Sequence, residues 1–137
     1  MLEKTKKIAI AFICMMLLVI YPNVALADND VMPRLTYIAS AETDLVIENG
    51  VATVDCWVKG QYGDATKAKV IAELQLKSGS SWIAYGTWTD TQNDYEAAVY
   101  ETKSVKTGQT YRVKATFTVW EGSQSESIVV FTDEVTA

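Results

Sequence analysis

Residues 45–54, Leu-Val-Ile-Glu-Asn-Gly-Val-Ala-Thr-Val, carry the strongest local structural signal in this chain. Asn49-Gly50 accepts the two positive φ angles of a type I′ turn, and the alternating apolar residues on both sides are typical of two antiparallel strands. Because the turn has two residues, Ile47 is expected to face Ala52. This segment therefore predicts a β-hairpin with a defined register.

The second strand of this hairpin has two chemically different faces. Apolar residues continue on one face through Cys56 and Val58, so this face is predicted to point into the core. Cys56 is therefore expected to be a small buried hydrophobic residue. Trp57 has the opposite parity and is predicted to point outward. The outward face also contains Val46, Thr53, Asp55 and Lys59.

The rest of the chain repeats this period-two pattern, with turn signals about every ten residues. Further strands are predicted over residues 69–77, 82–89, 95–105, 109–120 and 127–132. Within 95–105 the faces are ambiguous, because Ala97 and Val99 compete with Ala98 and Tyr100 for the inward positions. The pattern predicts an all-β fold, an antiparallel β-sandwich of seven or eight strands.

The first 27 residues have the pattern of an export signal. Three lysines precede an apolar run of about fourteen residues, and Ala25-Leu26-Ala27 has the small-x-small pattern that signal peptidase recognises. A spanning helix needs about twenty apolar residues, so no stable membrane insertion is expected. We therefore predict a signal peptide over 1–27, a secreted, extracellular product and a single sandwich domain over 28–137 with a flexible lead-in at 28–33.

The composition after residue 27 excludes several classes of function. This part of the chain has 9 basic and 16 acidic residues, which disfavours nucleic acid and anionic membranes as partners. It has no His, and Cys56 is its one cysteine because Cys14 lies in the signal. These counts exclude Ser-His-Asp and Cys-His nucleophile systems, His-ligated zinc and an internal disulfide.

Carboxylate chemistry and calcium binding are the remaining candidates for a reaction or a metal site. The acidic residues are scattered over outward positions and turns, which favours a solvated surface over a catalytic pair. Asp90, Asn93 and Asp94 share one loop, and Asp28 and Asp30 lie near the start, but neither group has the spacing of an EF-hand. We predict a protein that is not an enzyme and has no cofactor or metal.

Residues 105–115, Val-Lys-Thr-Gly-Gln-Thr-Tyr-Arg-Val-Lys-Ala, resemble the junction of the fifth and sixth strands in fibronectin type III and immunoglobulin-like sandwiches. The resemblance implies that Tyr111 forms a tyrosine corner with the backbone of 105–108, and that Val105 closes one end of the core. The chain lacks the paired cysteines of immunoglobulin domains, and Lys106-Thr107-Gly108 stands where fibronectin modules usually have a proline. It also resembles small uncharacterised secreted proteins of Gram-positive bacteria that begin Pro-Arg-x-Thr-Tyr-Ile after the signal, which implies export but no activity.

The tryptophans suggest a ligand-binding surface. Trp57 and Trp120 have outward parity, whereas Trp82 and Trp88 share one parity on a single strand and are expected to pack across the core. Exposed aromatic rings stack on sugars and anchor protein partners, although neighbouring side chains can also shield such rings. The predicted function is a non-catalytic binding or adhesion-like module that recognises an extracellular protein or a cell-surface glycan. The alternative is a small enzyme inhibitor or antagonist that presents the loop Thr89–Asp94.

Overall fold

A computed structural model of the protein describes residues 34–137. The predictions for the export signal, the lead-in, Asp28 and Asp30 lie outside these residues. The described part of the chain forms eight β-strands: β1 Ile38–Glu48, β2 Val51–Gly60, β3 Lys67–Ser78, β4 Ser81–Gln92, β5 Glu96–Ser104, β6 Thr110–Glu121, β7 Gln124–Phe131 and β8 Val135–Thr136.

The eight strands form two antiparallel sheets. The smaller sheet has the order β1-β2-β5, and the larger has the order β4-β3-β6-β7, with β8 also paired to β6. The predicted all-β sandwich is therefore confirmed. The fourth strand pairs with the third, whereas in a constant-type immunoglobulin domain it belongs to the sheet of the first, second and fifth strands. Across residues 34–137 we find no helix with the length and apolar character needed to cross a membrane.

The Asn49-Gly50 hairpin has the predicted geometry. Asn49 has a φ of 50° and Gly50 a φ of 75°, the two positive angles that a type I′ turn requires. Ile47 pairs with Ala52 as the turn predicts, and β1 extends back to Ile38, well before the predicted hairpin. This register sends Trp57 to the outer face of the smaller sheet.

The core lies between the two sheets and is built from their inward-facing residues. Cys56 is fully buried in it, as predicted. In β5 the ambiguous parity is resolved, because Ala97 and Val99 point inward and Tyr100 points outward. The fully buried larger side chains are Tyr111, Phe117, Leu74, Val54, Val58, Val70, Val113, Val119 and Cys56.

The tyrosine corner at the start of β6 is confirmed. Tyr111 is fully buried, and its hydroxyl oxygen accepts a hydrogen bond of 3.0 Å from the backbone N–H of Lys106. Val105 packs against the edge of the core, and its N–H donates to the carbonyl of Gly50 at 2.9 Å. The chain is therefore tied to the core at the point where it crosses from β5 in one sheet to β6 in the other.

The prediction that Trp82 shares the inward face with Trp88 is wrong, because a β-bulge interrupts β4. Gly86 pairs with Leu74 but Ala84 pairs with Gln75, so Tyr85 is an extra residue in the ladder. The extra residue changes the parity of everything before it. Trp88 therefore packs against the core, whereas Trp82 lies on the outer face.

The prediction that Thr89–Asp94 forms a loop is also wrong. β4 continues through Gln92, and Thr91 and Asp90 pair with β3, which leaves a short turn over residues 93–95. β4 lies at the edge of its sheet, where polar side chains remain in water. Its polar composition was therefore compatible with a strand as well as with a loop.

Candidate functional site

Trp57 lies near one end of the outer face of the smaller sheet. It belongs to the central strand β2, with Glu42 of β1 opposite it on one side and Ala98 of β5 on the other. Its ring is partly buried, and the ammonium group of Lys59 lies 5.6 Å from the ring centroid. The ring is thus held in place by its neighbours while part of it remains accessible.

An open groove of about 480 Å³ lies beside this ring, and we call it the Trp57 groove. It is lined by Trp57, Val58, Lys59, Asp90, Gln92, Glu96, Ala97 and Ala98. Ala98 pairs with Trp57 and presents only a methyl group beside the large indole. Aromatic surface, carboxylates and an amide thus meet in one concave region.

Asp90 joins the two sheets at the groove. Its carboxylate accepts a 3.0 Å hydrogen bond from the backbone N–H of Ala98 in β5 and a 2.7 Å hydrogen bond from the amide of Gln92. On the opposite wall, Glu96 forms a salt bridge of 3.7 Å with Lys59, and both side chains are about half exposed. The polar groups of the groove are therefore oriented by the protein before any ligand binds.

Two exposed tyrosines and the partly buried Tyr95 extend the aromatic surface, and the sequence pattern did not identify them as site residues. Tyr100 is 69% exposed, and its outward position puts it diagonally across from Trp57. Tyr62 is 84% exposed and contacts Tyr95 edge to face, with ring centroids 5.2 Å apart. The carbonyl of Tyr95 accepts a hydrogen bond from the N–H of Gly60, directly beyond the groove. The two tyrosine rings therefore lie at the end of the groove. Resolving the parity of 95–105 would have identified Tyr100.

Trp120 lies on the outer face of the larger sheet, opposite Lys67 and Ser125. Its ring is partly buried, and the ammonium group of Lys67 lies 4.7 Å from the ring centroid. The two predicted ligand-binding tryptophans therefore occupy opposite outer faces of the sandwich. One compact ligand cannot contact both.

A second aromatic cluster lies on the outer face of the larger sheet. The guanidinium carbon of Arg112 lies 4.2 Å from the ring centroid of Trp82 and 4.5 Å from that of Phe131. The Nε of Arg112 donates to the side chain of Gln75 at 2.8 Å, which explains why this outward glutamine is buried. The guanidinium group of Arg112 thus fills the surface between the rings of Trp82 and Phe131.

Glu126 and Cys56 have shifted pKa values that reflect structural roles. The Glu126 carboxylate accepts the backbone N–H groups of residues 36–38 at 2.8 to 3.1 Å and so ties the start of β1 to β7. Burial raises its pKa, but the three backbone donors together outweigh burial and hold the pKa below its ordinary value. For Cys56, burial raises the pKa of the thiol to about 11.

The calcium candidates Asp90, Asn93 and Asp94 are not brought together as a ligand set. The carboxylate of Asp90 is directed to Ala98 and Gln92, and that of Asp94 accepts the N–H of Tyr95 at 2.7 Å. Within residues 34–137 no three His, Cys, Asp or Glu side chains are grouped as a metal site would require.

A scan against protein-family models and a search of curated proteins found no match to this chain. Its function is therefore inferred from the groove and from the surfaces around it.

Proposed function

We propose that this protein is exported and acts outside the cell as a non-catalytic binding or adhesion-like module. Its ligand is an extracellular glycan or protein segment, and the chemistry of the Trp57 groove favours a cell-surface glycan. The observation that carries this proposal is the partly exposed indole of Trp57 beside the oriented carboxylates of Asp90 and Glu96.

The groove combines the two kinds of group that sugar recognition needs. The apolar face of a sugar ring stacks on an indole, and its hydroxyl groups donate to carboxylates and bond to amides. Trp57 supplies the ring, and Glu96 and Gln92 supply exposed polar groups on the walls. Tyr100 offers a second ring for the next sugar unit along the sheet.

A segment of an extracellular protein is the other class of ligand proposed for this groove. The inhibitor or antagonist alternative has less support, because most of Thr89–Asp94 belongs to β4 rather than to a protruding loop. An extended peptide could also lie across Trp57. The experiment must therefore include both kinds of ligand.

The proposal is tested by measuring binding of the purified protein to a glycan panel, to cell-wall fractions and to extracellular proteins. Trp57→Ala should weaken glycan binding by about 30-fold or more, as truncation of an aromatic anchor does. Trp120→Ala is the matched control, since it removes the same side chain, also partly buried beside a lysine, from the opposite face. Equal losses in both variants, or no loss in Trp57→Ala, would contradict the proposed site.

Export is tested separately by intact-mass measurement of the protein recovered from the medium. Cleavage after Ala27 leaves a chain that begins at Asp28. A secreted species that retains residues 1–20 would rule out this cleavage.

A further inference from the structure

The outer face of the smaller sheet is strongly acidic. Five carboxylates occupy outward positions on β1, β2 and β5, namely Glu42, Asp44, Glu48, Asp55 and Glu96. Lys59 is the one cation at the outward strand positions of this described sheet, and its ammonium group is already paired with Glu96. This acidic face also carries an apolar and aromatic patch, with Trp57 beside Ala98 and Tyr100.

The outer face of the larger sheet has the opposite charge. Five cationic side chains occupy outward positions on β3 and β6, namely Lys67, Lys69, Lys77, Arg112 and Lys114. Glu73 is the one carboxylate at the outward strand positions described for this sheet, and Glu134 beyond β7 pairs with Lys77 at 3.0 Å. The outward side chains of β4 and β7 are neutral and include Trp82, Val129 and Phe131.

We propose that the acidic face of one copy of this chain binds the basic face of another copy. The two faces have complementary charge, and each also carries apolar side chains. Charge complementarity orients partners and selects one docking mode. Contacts between two acidic faces or two basic faces are disfavoured by repulsion. A second copy of the chain offers both complementary surfaces at the same scale.

The geometry determines the kind of assembly and its strength. Because the two patches lie on different faces, the contact is heterologous, and each copy can bind one neighbour on either side in an open chain. The smaller sheet has three strands about 4.8 Å apart and about ten residues long at about 3.4 Å per residue, which gives a face of about 500 Å². This is below the roughly 800 Å² per partner of a standard interface, so the association is weak and salt-sensitive.

Four charges suited to mutation make no hydrogen bond or salt bridge within residues 34–137: Glu42 and Asp55 on the acidic face, and Lys69 and Lys114 on the basic face. Reversing two charges approximately cancels the net charge of either face. We therefore compare Glu42→Lys/Asp55→Lys with Lys69→Glu/Lys114→Glu. Neither pair belongs to the lining of the Trp57 groove, so loss of self-association and loss of ligand binding are separate results.

The experiment is sedimentation velocity on the protein purified in the form that the cell produces. The protein concentration runs from about 10 µM to 1 mM, the range of dissociation constants expected for a small interface. For the wild type, the average mass is expected to rise with concentration at low salt and to return to the monomer at 0.5 M NaCl, where screening is short-ranged, within about 4 Å. Each double variant alone is expected to stay monomeric. An equimolar mixture is expected to form pairs and nothing larger, because each variant keeps one active face.

The control variant Asp64→Lys/Glu101→Lys makes the same change in net charge as Glu42→Lys/Asp55→Lys but away from both faces. Its exposed positions lie in a loop and on the inward side of β5. It is expected to associate like the wild type. The proposal is overturned by a monomeric wild type at low salt, by association that survives in either face variant, or by a mixture that does not pair. If a reversal prevents folding, Glu42→Gln/Asp55→Asn and Lys69→Gln/Lys114→Gln replace it, with a loss of association of about tenfold.

Discussion

Removal of the Tyr111 hydroxyl is the sharpest test of how the chain is held together between the two sheets. Tyr111→Phe keeps the ring in the core and its edge-to-face contact with Tyr85, whose centroid lies 5.4 Å away. It removes only the 3.0 Å hydrogen bond from the N–H of Lys106. The variant therefore isolates the bond that defines the tyrosine corner.

The magnitude follows from the surroundings of the two partners. A typical intramolecular hydrogen bond contributes about 0.5 to 1.5 kcal/mol to the free energy of unfolding. Tyr111 is fully buried but Lys106 is exposed, so water can partly satisfy the N–H that is left behind. We expect a loss of about 1 kcal/mol, or about 4 °C in Tm for a domain of this size.

The measurement is equilibrium denaturation in urea with an unchanged m-value. Tyr85→Phe is the matched control, because the Tyr85 hydroxyl is also hydrogen-bonded to the backbone. It donates to the carbonyl of Ser104 at 3.2 Å, in an exposed position. We expect it to cost less than about 0.5 kcal/mol. If the two variants lose the same stability, the corner bond makes no special contribution to the free energy of unfolding, and this prediction is wrong.

Three further predictions concern packing, acid stability and thiol reactivity. Trp88→Ala should lower the free energy of unfolding by about 3 kcal/mol because Trp88 packs against the core. Trp82→Ala on the outer face should lower it by about 1 kcal/mol. Equal losses of stability in urea denaturation would contradict the bulge. Glu126→Gln should lower the free energy of unfolding by about 1 to 2 kcal/mol at pH 7. Because the folded-state pKa of Glu126 is lowered, the wild type should be more stable than the variant above the ordinary pKa and lose this difference as the pH falls through the folded-state pKa. Melting of both proteins as a function of pH measures this. Cys56, whose pKa is raised to about 11, should resist thiol reagents at pH 8 until the protein is unfolded, and rapid labelling of the folded protein would contradict its burial.

Local sequence patterns were sufficient to predict much of the fold. The Asn49-Gly50 turn determines its own dihedral angles, and the period-two alternation then assigns Cys56 inward and Trp57 outward without knowledge of any other strand. The same alternation places Tyr111 inside. These features depend on neighbours within a few residues, which is why they can be read from the chain.

The bulge in β4 was beyond simple alternation. Tyr85 adds one residue to the ladder and exchanges the faces of the positions before it, so Trp82 and Trp88 point in opposite directions despite their shared parity. Gly86 inside the strand was the available signal, since an isolated glycine in a strand often marks a bulge. A side chain there would place its Cβ 2.8 Å from Cη2 of Trp88. The sequence shows the glycine, but the bulge itself is defined by the pairing of β4 with Leu74 and Gln75 of β3, which is tertiary.

The alternating strands, the hairpin register and the outward parity of Trp57 and Trp120 follow from the order of residues along the chain. Only the tertiary structure decided that β2 pairs with β5, that β3 pairs with β6, and that the two tryptophans therefore lie on opposite faces. The same pairing collects acidic residues on one sheet and basic residues on the other, and it brings Asp90 of β4 to Ala98 of β5 to form the groove. Alternation is local, whereas strand pairing depends on contacts between segments far apart in the chain, and period-two patterning does not specify those partners.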